Sequence, residues 1–440
     1  MKNLREKTFS IITFGCKLNQ YESECIRQSL EGMNWTYRPF EEGADCFIIN
    51  SCTVTGKSDS RCRNAVRRAR RAVPDAKIIV TGCYAETQPE ALEGMDEVDL
   101  VLGNEEKKMI PSILCGGVDG EKTLYGTIDQ FLDHSRAFIK VQEGCNSACT
   151  YCVIPRARGP SRSTKPNAVL DQVMRLADNG YREIVLTGIH IGRYGMDLDD
   201  GTDLSGLIEL LVEATEGVRF RLSSIEVNEV TDRLLELVSS SDRVAPHLHI
   251  PLQSGDDWIL GRMRRPYDKK YFEERIGRVT ESNGRMALGT DVIVGFPGET
   301  DERYKNTYRF VKRMPFTYLH IFNYSRRPGT EAAHMPDQVD PDTRKRRSRK
   351  LINLGKRKRT AFLKEHIGAT ELSLVQGPMH SHSKFSIAMT GTYCEVMVAR
   401  DERIRNEIKP VRITHYSRGR LYGTPLPEGE GNTVERDGTE

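Results

Sequence analysis

The segment 143–163, EGCNSACTYCVIPRARGPSRS, contains three cysteines within eight residues: Cys145, Cys149 and Cys152. A structural zinc site takes four ligands, and a closed iron–sulfur cluster takes four thiolates. Three thiolates therefore leave one coordination position open, which is what a catalytic metal site requires. The alternative is zinc with His134 as the fourth ligand. That histidine precedes the strand that the cysteines follow, so we expect it at the opposite end of that strand.

A second set of cysteines has no local spacing motif and is found only through the strands before it. Cys16, Cys52 and Cys83 each follow a strand-like run, with at most one residue between. These runs are TFSIITF, CFIIN and KIIVTG. The loops after parallel strands open on the same edge of a sheet, where ligands bind. The strand order therefore predicts that three cysteines, 36 and 31 residues apart, meet at one rim.

The remaining cysteines, Cys25, Cys46, Cys62, Cys115 and Cys394, are expected to be structural, because they lie in helices, begin a strand or have no partner nearby. No run of 18 or more apolar residues indicates a membrane span, and the apolar run near the start is too short for a signal peptide. We therefore expect a cytoplasmic protein, where thiols stay reduced. Eleven cysteines in that setting indicate metal binding or chemistry rather than disulfides.

The elements that must position these cysteines form three blocks of an α/β chain. Alternating strands and helices predict a parallel α/β domain over 1–125. Six further strand-like runs, separated by helical stretches, predict a partial (βα)6 barrel over 131–365, with a doubly wound open sheet as the alternative. Five short strands over 366–427 predict a small antiparallel β-barrel that binds nucleic acid. The final segment, 428–440, is almost free of apolar residues and is expected to be disordered.

Two basic runs stand out in a chain whose net charge is only +3. Residues 344–360, RKRRSRKLINLGKRKRT, hold ten Lys or Arg and no acid, and residues 61–71, RCRNAVRRARR, hold six Arg. Such blocks suit a phosphate backbone, and the alternative is a solvated helix face. Together with the small C-terminal barrel, they favour nucleic acid as the partner.

The spacing Cys-x3-Cys-x2-Cys, with Tyr151 before the last cysteine, resembles the signature of the radical S-adenosylmethionine (SAM) enzymes. This resemblance implies that the three thiolates hold a 4Fe-4S cluster whose fourth iron binds SAM, and that reduction of SAM yields a 5′-deoxyadenosyl radical. Over nearly the whole chain the resemblance is to the methylthiotransferases, through GCKLNQYESE (15–24), GFPGET (295–300) and YSRRPGT (324–330). It implies a methylthiotransferase N-terminal domain, a radical SAM core and a TRAM-like RNA-binding barrel.

The same resemblance implies site residues beyond the first three cysteines. A second, auxiliary 4Fe-4S cluster, again with one open iron, is assigned to Cys16, Cys52 and Cys83. SAM contacts are assigned to Tyr151, Thr187, Gly188, Glu226 and Gln253, and Asp291 and the GFPGE turn are candidates for positioning adenine or substrate. For these weaker positions, packing or turn formation is an equal alternative. No protein acid or base is assigned a catalytic role.

Within the family, GCKLNQYESE resembles the MtaB-type branch. That branch adds a methylthio group to carbon 2 of N6-threonylcarbamoyladenosine at position 37, in the anticodon stem-loop of tRNA. The alternatives are the branches that act on N6-isopentenyladenosine of tRNA or on an aspartate of a ribosomal protein. The resemblance also implies a reducing partner such as flavodoxin or ferredoxin. A non-enzymatic metal protein that binds RNA is the alternative from a different class, but it leaves the second βα array unexplained.

Overall fold

The computed structural model describes residues 6–116, 126–132, 135–378 and 383–427. His134, the alternative zinc ligand, and the segment 428–440 lie outside the described residues. Within the described ranges, no helix is both long and apolar enough to cross a bilayer.

The N-terminal block is a five-stranded parallel sheet in the order β2-β1-β3-β4-β5. Its strands are β1 (Lys7–Thr13), β2 (Trp35–Tyr37), β3 (Cys46–Ser51), β4 (Lys77–Gly82) and β5 (Leu100–Leu102). Its helices are α1 (Lys17–Glu31), α2 (Gly56–Ala72), α3 (Cys83–Thr87), α4 (Glu90–Glu93) and α5 (Ile110–Leu114). All six residues of β3 are buried, as expected for a parallel strand covered on both faces.

Two details of this block differ from the sequence prediction. The three-residue strand β2 was not predicted, because so short a run shows no alternation. The sequence pattern of 86–94 predicts one helix, but the structure has two short helices, α3 and α4, and α3 begins directly at Cys83. Pro89 stands between them, and proline cannot donate the backbone hydrogen bond that a continuous helix needs.

The central block contains six parallel strands in sequential order, as a partial barrel requires. Two short strands, β7 (Gln142–Glu143) and β8 (Arg162–Ser163), lie outside this array. The six strands of the array are β6 (Ala137–Lys140), β9 (Glu183–Thr187), β10 (Arg219–Leu222), β11 (His247–His249), β12 (Ala287–Val294) and β13 (Tyr318–Asn323). Its helices are α6 (Ile154–Arg158), α7 (Pro166–Asp178), α8 (Leu204–Ala214), α9 (Asp232–Ser240), α10 (Asp257–Arg262), α11 (Lys269–Ser282) and α12 (Asp301–Arg313).

The six strands form two three-stranded halves, β6-β9-β10 and β11-β12-β13. Single parallel bridges, Phe220 with Val244 and Ser224 with His249, join β10 to the segment around β11. A doubly wound sheet would reverse its strand order at a switch point, and this array does not. The prediction of a partial barrel is therefore confirmed, while β7 and β8 form a separate two-residue hairpin.

The helix α13 (Pro341–Glu365) leads from the core to a closed five-stranded barrel in the order β14-β15-β16-β18-β17. Its strands are β14 (Thr370–Pro378), β15 (Phe385–Thr390), β16 (Glu395–Ala399), β17 (Ile408–Ser417) and β18 (Arg420–Pro425). The predicted barrel is confirmed, but it is not purely antiparallel, because β16 and β18 run parallel. An odd number of strands cannot alternate in direction all the way round a closed barrel.

The barrel is fixed to the core by a buried charge cluster on β9 and β10. Arg219 and Arg221 both pair with the Glu183 carboxylate. Their guanidinium groups also donate to backbone carbonyls of the barrel, those of Leu372, Met389, Thr390 and Gly391. Burial alone would raise the pKa of Glu183, but the two arginines outweigh it and hold that pKa well below its usual range. From α13, Arg359 donates to the Tyr393 carbonyl at 2.7 Å.

Candidate functional site

Cys145, Cys149 and Cys152 lie in the loop between β7 and α6, beyond the carboxyl end of β6. This loop folds back closely on itself. The Cys145 amide donates to the Gly159 carbonyl at 3.1 Å, and Gly144 has a φ of +71°. A Cβ atom on Gly144 would lie 1.9 Å from the Pro160 carbonyl oxygen, so only glycine fits there.

Each sulfur of this triplet contacts a hydrogen-bond donor or potential donor. The Cys145 sulfur lies 3.4 Å from His190 Nδ1 and 3.4 Å from the Ser147 amide. Burial opposes ionisation of Cys145, but these contacts outweigh it and lower its pKa. Arg265 approaches the Cys149 sulfur at 3.3 Å, and the Ile154 amide approaches Cys152 at 3.5 Å. Such contacts orient thiolate ligands and tune the potential of a bound cluster.

Cys16, Cys52 and Cys83 follow β1, β3 and β4, three adjacent strands of the N-terminal sheet. Cys16 precedes α1, and Cys83 begins α3. A Cβ atom on Gly15 would lie 2.7 Å from the Cys52 Cβ, so the loop carrying Cys16 passes directly over Cys52. Burial raises the pKa of Cys52 to about 11, and the nearby Cys83 and Cys16 thiols add to the rise. The structure thus brings the three thiols to one edge of the sheet.

The spacing of the sulfur atoms bears on which metal group fits. Among the described residues, neither cysteine triplet has three sulfur atoms that all lie within 4.8 Å of one another. Zn–S bonds of about 2.3 Å would hold the thiolates of one zinc ion no more than about 4.6 Å apart. The thiols of each triplet are therefore not gathered around one zinc ion, and a set of three thiols is the donor set of an iron–sulfur cluster with one open position.

The short helix α6 connects the two cysteine triplets. It starts two residues after Cys152 and packs against α3, which begins at Cys83. Asn104 completes the connection: its side-chain amide donates to the Ala157 carbonyl of α6 and lies 3.9 Å from the Cys83 sulfur. Asn104 is buried, so few other groups are available to replace its contacts.

Arg158, at the end of α6, places a buried positive charge beside the N-terminal triplet. It pairs with Glu22 at 2.5 Å and Glu143 at 2.8 Å, and it donates to Asn19. The Asn19 side chain in turn lies 3.9 Å from the Cys16 sulfur. Burial opposes the charge of Arg158, but Glu22 and the Cys83 thiol outweigh it and hold its pKa well above the usual value. The RARG sequence after Cys152 therefore joins the two domains.

One cavity borders Cys152 of the first triplet and the residues that follow Cys52 of the second. Cys152 and Tyr151 line it on one side. Gln253 lines it from the loop after β11, and Asp291 lines it from β12. Val54 and Thr55, which follow Cys52, line it from the N-terminal domain. Gln253 has a φ of +64°, a strained conformation for a non-glycine residue, and pairs with Val292. Two of the predicted SAM contacts, Tyr151 and Gln253, thus face this cavity.

The other predicted SAM contacts have clear packing or hydrogen-bonding roles. Thr187 is buried at the end of β9. A Cβ atom on Gly188 would lie 2.9 Å from the Gln142 carbonyl, so glycine is required for close packing there. Glu226 pairs with Arg265, the residue that also approaches Cys149. Burial raises the pKa of Glu226, although Arg265 opposes the rise. Arg265 has no sequence motif and was not predicted.

The GFPGE turn and the YSRRPGT segment are held by internal contacts. Glu299 accepts from the Gly295 amide and from Arg347, which fixes the turn. In the second segment, the Ser325 hydroxyl accepts from the Gly56 amide at 3.0 Å. Arg327 pairs with Asp59 of α2 at 2.5 Å. The YSRRPGT segment therefore connects the N-terminal domain to the core barrel, beside the cavity.

Comparison with known proteins agrees with this two-part site. Residues 8–103 match the family described as "Uncharacterized protein family UPF0004", and residues 139–311 match the "Radical SAM superfamily". The chain is 43% identical over 361 residues to "Threonylcarbamoyladenosine tRNA methylthiotransferase MtaB" of Bacillus subtilis, covering 79% of this chain and 80% of that protein. It is 32% identical over 441 residues to "tRNA-2-methylthio-N(6)-dimethylallyladenosine synthase" of Pelotomaculum thermopropionicum, covering 95% and 97%.

Among solved structures, the fold is similar to that of TsrM from Kitasatospora setae, a radical S-adenosylmethionine methyltransferase. The TM-score is 0.55, with 14% identity over 74% of this chain and 77% of that chain. At this identity the similarity concerns the fold alone.

Proposed function

The chain belongs to the MtaB family of radical SAM methylthiotransferases, and from this premise we propose that it adds a methylthio group to carbon 2 of N6-threonylcarbamoyladenosine at position 37 of tRNA. Its greater identity to the threonylcarbamoyladenosine enzyme, 43% against 32% for the dimethylallyladenosine enzyme, supports this choice of substrate.

The observation that carries the proposal is the pair of three-thiol sets that α6 connects, the first of which borders a cavity through Cys152. Cys145, Cys149 and Cys152 are the proposed ligands of the radical SAM cluster. When bound, this cluster and SAM supply the radical chemistry that a C–H bond inert to acid–base catalysis requires. The chain itself supplies sulfur contacts from His190 and Arg265 and a cavity that holds the reacting groups together.

Cys16, Cys52 and Cys83 are the proposed ligands of a second, auxiliary 4Fe-4S cluster that handles sulfur. The contacts of α6 support this assignment, because they hold the second thiol set in a fixed position relative to the first. Two clusters predict about eight irons and a similar amount of sulfide per chain. Zinc without sulfide would instead support the non-enzymatic RNA-binding alternative. A one-electron donor such as flavodoxin or ferredoxin is part of the proposal.

The basic helix α13 supports RNA binding, although not all of its charges are available. Seven of its basic side chains are exposed: Lys345, Arg346, Arg349, Lys350, Lys356, Arg357 and Lys364. Others make internal contacts, such as Arg347 with Glu299 and Lys358 with the Met314 carbonyl. In α2, Arg70 likewise pairs with Asp99. The sequence predicts nucleic-acid binding for both basic runs, and the structure leaves only part of each run free for that role.

Two triple variants test whether one cysteine triplet serves radical formation and the other serves thiolation. We expect Cys145→Ala/Cys149→Ala/Cys152→Ala to abolish 5′-deoxyadenosine formation. We expect Cys16→Ala/Cys52→Ala/Cys83→Ala to retain that cleavage but to stop thiolation of tRNA. Mass spectrometry of deoxyadenosine and of tRNA nucleosides measures both products. Cys115→Ala is the control and should keep both activities. Methylthiolated tRNA from the N-terminal triple variant would refute the two-cluster proposal.

The nucleoside content of tRNA from a deletion strain tests the substrate. Loss of the methylthio form together with accumulation of N6-threonylcarbamoyladenosine is the expected result. Loss of the methylthio form of isopentenyladenosine instead would assign the chain to the sister branch.

A further inference from the structure

Three side chains of the kinds that bind metal ions meet in the core barrel, and one of them is the cavity-lining Asp291. They are His249 at the end of β11, Asp291 in β12 and His320 in β13. Asp291 and His320 are direct cross-strand partners. One donor atom from each residue lies within 4.8 Å of the other two, and among the described residues no other set of three His, Cys, Asp or Glu side chains converges so closely.

The distances match those between ligands of one metal ion. His249 Nε2 lies 2.9 Å from Asp291 Oδ1, and His320 Nδ1 lies 3.2 Å from the same oxygen. Metal–ligand bonds of about 2.0–2.2 Å, at ligand–metal–ligand angles of about 90–110°, separate two ligands by about 2.8–3.6 Å. Both measured distances fall in this interval, so small side-chain movements are enough to admit an ion.

The surroundings of His249 are those of a metal ligand held by a second layer of contacts. Its other ring nitrogen, Nδ1, lies 3.0 Å from the Tyr318 hydroxyl, and that hydroxyl lies 2.8 Å from His247 Nε2. Metal-binding histidines usually use their second nitrogen in this way, which fixes the ring and its tautomer. The His249 side chain is only 8% exposed, so the arrangement is rigid on this side.

The opposite side of the cluster is open. The His320 side chain is 55% exposed, that of Asp291 is 21% exposed, and Asp291 lines the cavity that also contacts Cys152. Two imidazoles and one carboxylate with an open side form a donor set that binds divalent first-row transition metals. An ion bound here would have free coordination positions facing the cavity.

We propose that His249, Asp291 and His320 form a binding site for one divalent transition-metal ion, separate from the two cysteine triplets. Zinc is the probe of choice, because it is redox-inert and accepts nitrogen and oxygen ligands. Without an ion, the same three residues form only a hydrogen-bonded His–Asp–His chain, and the experiment must distinguish these two states.

The experiment is equilibrium dialysis of the full chain, with its iron–sulfur clusters loaded, against zinc under anaerobic conditions. Zinc, iron and sulfide per chain are counted in the same sample, so that zinc taken up by cysteines appears as a loss of iron. Wild type is compared with His320→Gln and Asp291→Asn. His415→Gln removes an exposed histidine from the distant β17 strand and is the matched control.

We expect one additional zinc per wild-type chain with iron unchanged, the same result for His415→Gln, and at least a tenfold weaker affinity in both site variants. X-ray absorption should show nitrogen and oxygen ligands at about 2.0–2.2 Å, whereas cysteine-bound zinc shows sulfur at about 2.3 Å. Equal zinc uptake by wild type and His320→Gln, or a sulfur-dominated spectrum, would overturn the proposal. Because His320 is largely exposed, its replacement tests the site even if Asp291→Asn fails to fold. Metal counting is independent of tRNA modification, so failure here leaves the proposed function untouched.

Discussion

Arg327 and Asp59 form a buried ion pair that crosses from the core to the N-terminal domain. Both side chains are at least nine-tenths buried, and Arg327 also donates to the Thr53 hydroxyl at 3.0 Å. Arg327 of the YSRRPGT segment therefore contributes a buried charged contact to the domain that carries the second cysteine triplet.

We expect Arg327→Met to destabilise the contact between the domains by about 3–5 kcal/mol, because it leaves the buried Asp59 carboxylate without its cationic partner. Chemical denaturation followed by tryptophan fluorescence in a Trp258→Phe background, where Trp35 is the one remaining tryptophan, reports the N-terminal domain. Arg264→Met is the control: its pair with Glu331 is half exposed on both sides, so the expected loss is below about 1 kcal/mol. Equal effects of the two variants would contradict the assigned role.

His366, at the carboxyl end of α13, makes stability depend on pH. Burial lowers the pKa of this histidine, but contacts with the Cys394 sulfur, Glu371 and the Phe362 carbonyl outweigh it and raise the pKa to about 9. A ring with a higher pKa in the folded chain takes up a proton on folding. Its stabilising contribution is therefore complete below about pH 6.5, the unfolded value, and is lost as the pH rises through about 9.

The expected result is a melting temperature that falls between about pH 6.5 and 9 in wild type and falls less in His366→Gln. Differential scanning calorimetry across this range measures it. His415→Gln, which removes an exposed ring, should keep the wild-type slope. An unchanged slope in His366→Gln would assign the pH dependence to other groups.

Some residues of the site could be predicted from the sequence and others could not. The first triplet has a local spacing, and the second follows three strands at the same position, so both were found. Arg158, Asn104 and Arg265 were missed as site residues because their partners are distant in sequence, and neither charge nor amide content marks them. For His249, the only available signal was the alternation of histidines in the HLH run of β11.

At the scale of secondary structure elements, α6 is the connection on which the geometry of the site depends. It is only five residues long, so its position comes from side-chain contacts rather than from its own helical stability. Asn104 and Arg158 supply those contacts on the N-terminal side.

We expect Asn104→Ala to weaken iron retention at Cys16, Cys52 and Cys83 by about 10–100-fold, the usual cost of removing a contact behind a metal ligand. Iron and sulfide are best counted in a Cys145→Ala/Cys149→Ala/Cys152→Ala background, where only the N-terminal cluster remains. The control is Asn179→Ala, which removes an exposed amide contact to the Arg175 carbonyl. Full iron retention in the Asn104 variant would show that α6 does not support this cluster.

The elements themselves were predicted well where hydrophobic periodicity was strong. All six core strands and the five barrel strands were placed correctly, since each is a short run of branched or aromatic residues. The three-residue β2 and the break between α3 and α4 were missed. The parallel pair β16–β18 follows from closure of the barrel, which no local pattern shows.

At the scale of the whole molecule, the proposed binding of RNA to the exposed face of α13 predicts a dependence on salt. Arg349 and Lys350 are neighbouring exposed cations on this helix. Replacing both with glutamine should weaken tRNA binding and reduce the slope of log K against log salt by about 0.7–0.9 for each phosphate that is no longer neutralised. Fluorescence anisotropy at several salt concentrations measures this slope. Lys270→Gln/Arg278→Gln removes the same charge from α11 and should change the slope less.

The contacts between the core and the C-terminal barrel affect how a nucleotide of an RNA would be selected. Arg219 and Arg221 of the core donate hydrogen bonds to backbone carbonyls of the barrel. These buried contacts restrict rotation of the barrel relative to the core. The distance between the cavity and the surface of the C-terminal barrel that would bind RNA is therefore fixed. A barrel that binds RNA, as the sequence predicts, would then set a fixed measuring distance: the molecule would select a nucleotide by its position along a folded RNA, without reading the bases in between.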